Sequence, residues 1–242
     1  MYRILSASKD TYITNKIINN RFRATDANVG EAGTIDLFKL SDENALSSET
    51  TPKEISRALI KFDLSPLNAL ITTDLDINHS SFQCFLKLHD IYGGQTTPSN
   101  FKLISFPLAK NFDEGIGRDV VTFKDLDSSN FITASVSNGS VVAWDISGAL
   151  ASGSLGSSNI DVYVSGNLSG PSGTSYVNLT REQTFATGKE DFEVDITNVI
   201  SGVLTSQIPD YGFCVAFSGS YEQDNKTYFV KRFASKNSSN TR

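Results

Sequence analysis

Apolar residues in this chain recur at every second position, and the three-and-four spacing of an amphipathic helix is nearly absent. A period of two sends successive side chains to opposite faces of a strand, so the chain is committed to β-structure with a core on one side of most strands. In one segment Phe82, Cys84, Leu86 and Leu88 face inward while Gln83, Lys87 and His89 face out, with Phe85 the exception. Phe192, Val194 and Ile196 alternate with Glu193 and Asp195, and Ala58, Ile60 and Phe62 with Lys61 and Asp63. Phe213 to Phe217 is apolar throughout and reads as a strand buried on both sides. Phe62, Leu86, Val194 and Phe213 are therefore expected in the core.

Weaker strand patterns run over Thr11 to Thr14, Thr34 to Leu40, Phe101 to Phe106, Ser140 to Trp144, Ile160 to Val164 and Thr227 to Phe233. Gly93-Gly94, Asn138-Gly139, Gly166-Asn167, Gly170-Pro171 and Asp210-Tyr211-Gly212 supply turn chemistry between them. Short helical turns fit only Pro66 to Leu70 and Thr197 to Leu204, the latter with Asp195 or Thr197 as N-cap. About ten strands at this spacing predict an all-β, two-sheet antiparallel sandwich. With no break in composition, residues 1–242 are expected to form a single domain.

A net charge of -6 disfavours a nucleic-acid backbone and an anionic membrane as partners. No apolar run approaches the roughly 18 residues that span a bilayer. Met1 is followed by polar sequence without a signal-peptide core, which predicts synthesis in the cytosol and reduced thiols at Cys84 and Cys214.

Catalytic and metal patterns are incomplete. His79 and His89 are the only histidines, and no G-x-S-x-G elbow accompanies them. Asp74-x-Asp76-x-Asn78 starts like a calcium loop but has His79 where glycine belongs and Phe85 in place of the final glutamate; Asp125-x-Asp127 fails likewise. Asp113, Glu114, Glu190 and Asp191 are acids of the type a glycosidase pairs, at a separation sequence does not give. Gly115-x-Gly117 is better read as a turn than as a phosphate loop. A core tryptophan is the simpler reading of Trp144; a sugar-stacking platform with Tyr163 and Tyr176 is the alternative. The expectation is a non-enzymatic chain without cofactor or metal.

Taken in order, Asp10-Thr11-Tyr12-Ile13, Asn28-Val29-Gly30, Arg57 to Leu64, Phe85-Leu86-Lys87-Leu88, Asp195-Ile196-Thr197, Gly212-Phe213 and Phe233-Ala234-Ser235-Lys236 resemble DNRLRE-domain modules. Thr25 to Gly30, Gly93 to Pro98 and Tyr228 to Phe233 are similar to virion structural proteins of tailed phages. The resemblance implies a jelly-roll type of sandwich and a bacteriophage structural protein at the capsid surface, neck or tail. Its location would be the virion after synthesis in the host cytoplasm, and its partners other virion proteins, in multiple copies or as a homo-oligomer. The alternative it implies is a carbohydrate-binding module or receptor-binding element, with a glycan as partner. Family members commonly add a closing strand after the Phe-x-Ser segment, and this sequence does not. The last strand is thus expected to present an open edge, blunted by Lys231, Arg232 and Lys236, with Tyr228, Val230, Lys231, Arg232 and Phe233 as an interface.

Overall fold

The computed structural model describes residues 2–71, 73–91, 97–121 and 127–239. The chain opens with β1 (Ala7–Thr14), β2 (Ile17–Ile18), β3 (Phe22–Arg23), β4 (Thr34–Ser41), β5 (Lys53–Phe62) and helix α1 (Ser65–Ile71). Next come β6 (Phe85–Leu88), β7 (Phe101–Pro107), β8 (Thr133–Ser137), β9 (Ser140–Ala143), β10 (Ser152–Ser154), β11 (Val162–Gly170) and β12 (Gly173–Asn178). The last part holds β13 (Arg181–Phe185), β14 (Phe192–Asp195), α2 (Thr197–Leu204), β15 (Phe213–Phe217), α3 (Gly219–Gln223) and β16 (Tyr228–Ala234). Strand accounts for 41% of residues and helix for 9%, so the fold is all-β.

Strand β5 is the corner of the sandwich. Its residues 56–62 pair with β1, while on its other side residues 58–60 pair with β15 and residues 53–55 with β4. One layer is thus β1-β5-β15-β7-β13, all antiparallel. The other is β4-β16 followed by β6-β14, joined where Asp90 meets Phe233. Where β4 leaves β5, Ser56 Oγ accepts the Phe38 N–H at 2.8 Å and donates to Asp36 O at 2.8 Å, so the diverging backbone is not left unpaired.

The main core lies between the layers and is built on aromatic contacts. Phe101 stacks on its cross-strand neighbour Phe185 at 4.8 Å within the first layer, while Phe217 meets Tyr228 at 5.4 Å, and Phe185 meets Phe192 at 6.4 Å and Phe233 at 6.5 Å, across the gap. A second cluster, including Ile13, Leu59, Leu108, Phe112, Trp144, Val162 and Cys214, covers the outer face of the first layer. This cluster explains one departure from the alternation: strand β5 is buried on both faces from Glu54 to Ile60. Phe62, expected in the core, is only half-buried against the main core at the last residue of the strand. Leu86, Val194 and Phe213 are buried as expected, and Phe85 is exposed as parity requires.

Helix α2 starts as expected, although Ile196 occupies its cap position while Asp195 Oδ1 accepts the Thr197 N–H at 2.8 Å. Gly166-Asn167 is not a turn but lies inside β11. A Cβ at Gly166 would come within 2.5 Å of the Leu155 side chain, so glycine here allows a close approach within a strand. Gly93-Gly94 lies outside the described residues. Strands β10 and β11 are parallel, an exception to the antiparallel rule.

Candidate functional site

The expected interface on β16 is turned inward. Tyr228, Val230, Lys231 and Phe233 are buried, because the register against β4 shifts between Tyr228 and Lys231 and the strand packs both of its faces. Lys231 does not blunt an edge. Its ammonium is wholly buried, bonding Asp90 Oδ1 at 2.6 Å, Glu190 O at 2.7 Å and Gly188 O at 2.9 Å, with the Phe233 and Phe185 rings about it. Burial pulls its pKa down, and the Asp90 carboxylate opposes that pull. Arg232 makes a two-pronged bond to Asp36, at 2.8 Å on each arm. The strand's other edge is covered from within: Ile91 N–H reaches Arg232 O at 3.0 Å and Ala234 N–H reaches His89 O at 2.9 Å. Among the strand's large side chains only Phe229 is exposed.

The three aromatics of the sugar platform are not brought together. Trp144 is 5% exposed in the second cluster, its Nε1 donating to Asn130 O at 2.9 Å, and Tyr163 is buried in the main core. Neither offers a ring face to solvent, and only Tyr176, 72% exposed on β12, remains outside.

The acids noted in the sequence hold backbone. Asp113 Oδ2 accepts the Val136 N–H at 2.8 Å, Glu190 Oε1 those of Thr187 and Ala186, and Asp191 that of Asp90 together with His89 Nδ1. Hydrogen bonding holds the Glu190 and Asp191 carboxyls low against the upward push of burial. Asp76 closes a local turn on Asn78 N–H, and His79 turns back to Ser81 at 2.7 Å. Asp125 lies outside the described residues. Among the described residues no group of three or more His, Cys, Asp or Glu is placed to hold a metal ion. Cys84 and Cys214 are unpaired, and burial pushes both thiols up to about 11, which leaves little thiolate at neutral pH. A depression between Phe62, Leu64, Val199, Val203 and Phe213 has only about 10 Å³, room for at most a water molecule.

One polar cluster was not legible as a site. Glu114 Oε1 accepts the Asp10 N–H at 2.7 Å, Asp10 Oδ2 accepts the Lys236 N–H at 2.6 Å, and Lys236 Nζ returns to Glu114 Oε2 at 2.7 Å. Beside it Asn28 donates to Glu114 O at 2.7 Å and accepts the N–H of Gly30 and Gly117. A Cβ at Gly117 would lie 1.9 Å from Asn28 O, so the Gly115-x-Gly117 pair serves close packing and not a phosphate. The cluster clasps the first strand, the 113–117 loop and the segment after β16. Its residues Asp10, Asn28, Gly30, Glu114 and Lys236 are scattered over short, distant segments of the sequence.

Asp10 is strained electrostatically. Burial pushes its carboxyl up to about 6; the Lys236 N–H opposes this, the Glu114 charge adds to it, and Oδ1 is buried without a hydrogen-bond partner. An acid whose folded pKa exceeds its unfolded value near 3.9 holds its proton more tightly when folded, so this contribution to stability is lost as pH rises from about 4 to about 6. Asp10→Asn keeps an acceptor for Lys236 without the buried charge. Its stability relative to wild type should rise through that window by up to roughly 3 kcal/mol, then stay level. Urea unfolding of both proteins from pH 4 to 8 checks this; a pH-independent difference would count against a buried charged Asp10.

No protein-family model matches the chain, and no curated protein matches it. Among the described residues no helix is long and apolar enough to cross a membrane. Ile132, Val141 and Ile146, all from the segment that covers the second cluster, are exposed, as are Phe85, Ile116 and Tyr176.

Proposed function

We propose that this chain is a non-enzymatic structural component of a tailed-phage virion, at the capsid surface, neck or tail, working through protein–protein contacts. The observation that carries the reading is the contrast between inside and outside. Interior bases are tied to acids, as in Lys231 with Asp90, Arg57 with Glu222 and Lys39 with Asp224, while large apolar side chains such as Ile132, Val141, Ile146 and Tyr176 face outward. Exposed apolar side chains of this kind suit contact with another protein. The similarity of Thr25 to Gly30 and Tyr228 to Phe233 to virion proteins supports the same assignment.

In this reading the partners are other virion proteins, with no nucleic acid, membrane or cofactor involved. Quantitative mass spectrometry of purified particles should find the chain at a fixed copy number. Its absence from particles, together with binding on a glycan array, would replace this reading with a carbohydrate-binding one.

A further inference from the structure

The molecule closes several strand edges with its own atoms. His89–Ile91 covers β16. Gln183 covers β14 as a peptide group would, its Nε2 donating to Asp191 O at 2.6 Å and its Oε1 accepting the Glu193 N–H at 2.6 Å. Gln207 does the same for β11 beyond the reach of β10, accepting the Ser169 N–H at 2.5 Å and donating to Ser169 O at 2.9 Å.

Strand β12 has such cover only at its end, where Arg181 Nη1 donates to Asn178 O at 2.8 Å. Because the backbone of Ser169 points to Gln207, the Ser169–Thr174 pair is one of the non-hydrogen-bonded pairs of the β11–β12 ladder. By parity the N–H and C=O groups of Thr174, Tyr176 and Asn178 point away from β11. Those of Thr174 and Tyr176 have no partner among the described residues. Residues 162–180 contain no charged side chain, and the only proline there, Pro171, lies in the turn, so from Gly173 to Val177 nothing blunts the edge.

We infer that a second copy of this chain adds to β12 as an antiparallel strand about a two-fold axis at Tyr176. Tyr176 then faces Tyr176 of the second copy, and Thr174 faces its Asn178. Charge permits this occupant. Copies of a chain with net charge -6 repel each other in general, but residues 173–180 carry no charge, and the nearest cation, Arg181 on Asn178 O, comes opposite Pro171 of the second copy and not opposite itself. An antiparallel edge is also its own complement, supplying the same donors and acceptors from both sides, and the tyrosine pair adds a cross-strand contact. One strand from each copy buries less than a stable dimer needs, so the contact is weak and counts where copies are held side by side. This deepens the assembly reading and rests on it only for that setting.

Sedimentation equilibrium of the pure full-length chain, from about 1 μM to about 1 mM, tests the contact without a particle. The average mass should climb toward that of a dimer with concentration. Tyr176→Pro removes an outward N–H on each copy and should lower the association constant at least about tenfold. Tyr176→Lys leaves the backbone intact and should do the same by placing like charges opposite each other. A chain that stays monomeric throughout, or a dimer that Tyr176→Lys leaves unchanged in amide-resolved folded protein, would overturn the inference. Neither result bears on whether the chain is found in particles, so the two readings fail separately.

Discussion

Asp90→Ala should destabilise the protein by about 3–5 kcal/mol, because it leaves the Lys231 ammonium buried with two carbonyls and no bonded carboxylate. Desolvating a charge is tolerable only while its partner is present. The double variant Asp90→Ala/Lys231→Met should therefore cost less than the single one, since methionine fills the space between Phe185 and Phe233 without a charge to strand. Urea unfolding at neutral pH measures the cycle. Additive costs would mean that Lys231 and Asp90 do not act as a pair.

Phe185→Ala is expected to cost about 3–5 kcal/mol. The ring is fully buried, lies nearly parallel to Phe101 at 4.8 Å, and touches the rings of Phe192 and Phe233 across the sandwich. Removing it opens a cavity where both layers meet, and the surrounding rings cannot all move to fill it. Phe85→Ala is the control on the same sandwich: with Phe85 52% exposed, the change should stay within about 0.5 kcal/mol. Similar melting curves for the two variants would show that the faces are assigned wrongly.

These residues also mark how far the sequence could be read. Leu86, Leu88, Phe192 and Val194 were legible because their strands have one wet face, which period-two alternation reports. On β5 the same rule failed at Leu59, because a second cluster formed from residues far along the chain covers the face that should have been wet. Strands β12 and β13 carry too few apolar side chains to show any period. Lys231 read as solvent-facing, yet it is buried, as is Lys39, because the groups that neutralise them, Asp90 and Asp224, are distant in sequence. Burial pushes the Asp224 carboxyl up, but bonds from Lys39 and Tyr228 hold it below the usual range.

The functional expectations divided along the same line. Trp144 sat in the core, as the simpler reading had it, because its indole N–H finds a carbonyl in the second cluster. The β16 interface failed because a strand pattern does not say which segment will lie beside it, and here that segment is His89–Ile91. Asp10, Glu114 and Lys236 came together only through the fold, so no local spacing announced the clasp.

The central structural claim is that the sandwich closes over β16 and stays open at β12. Native-state amide hydrogen exchange in dilute solution tests it at four positions. The Ala234 and Ile91 amides, which bridge β16 and the segment beside it, should be strongly protected, and the outward amides of Thr174 and Tyr176 should exchange at nearly unprotected rates. Fast exchange at Ala234 and Ile91 with protection at Thr174 and Tyr176 would contradict the account, placing the open edge at the last strand.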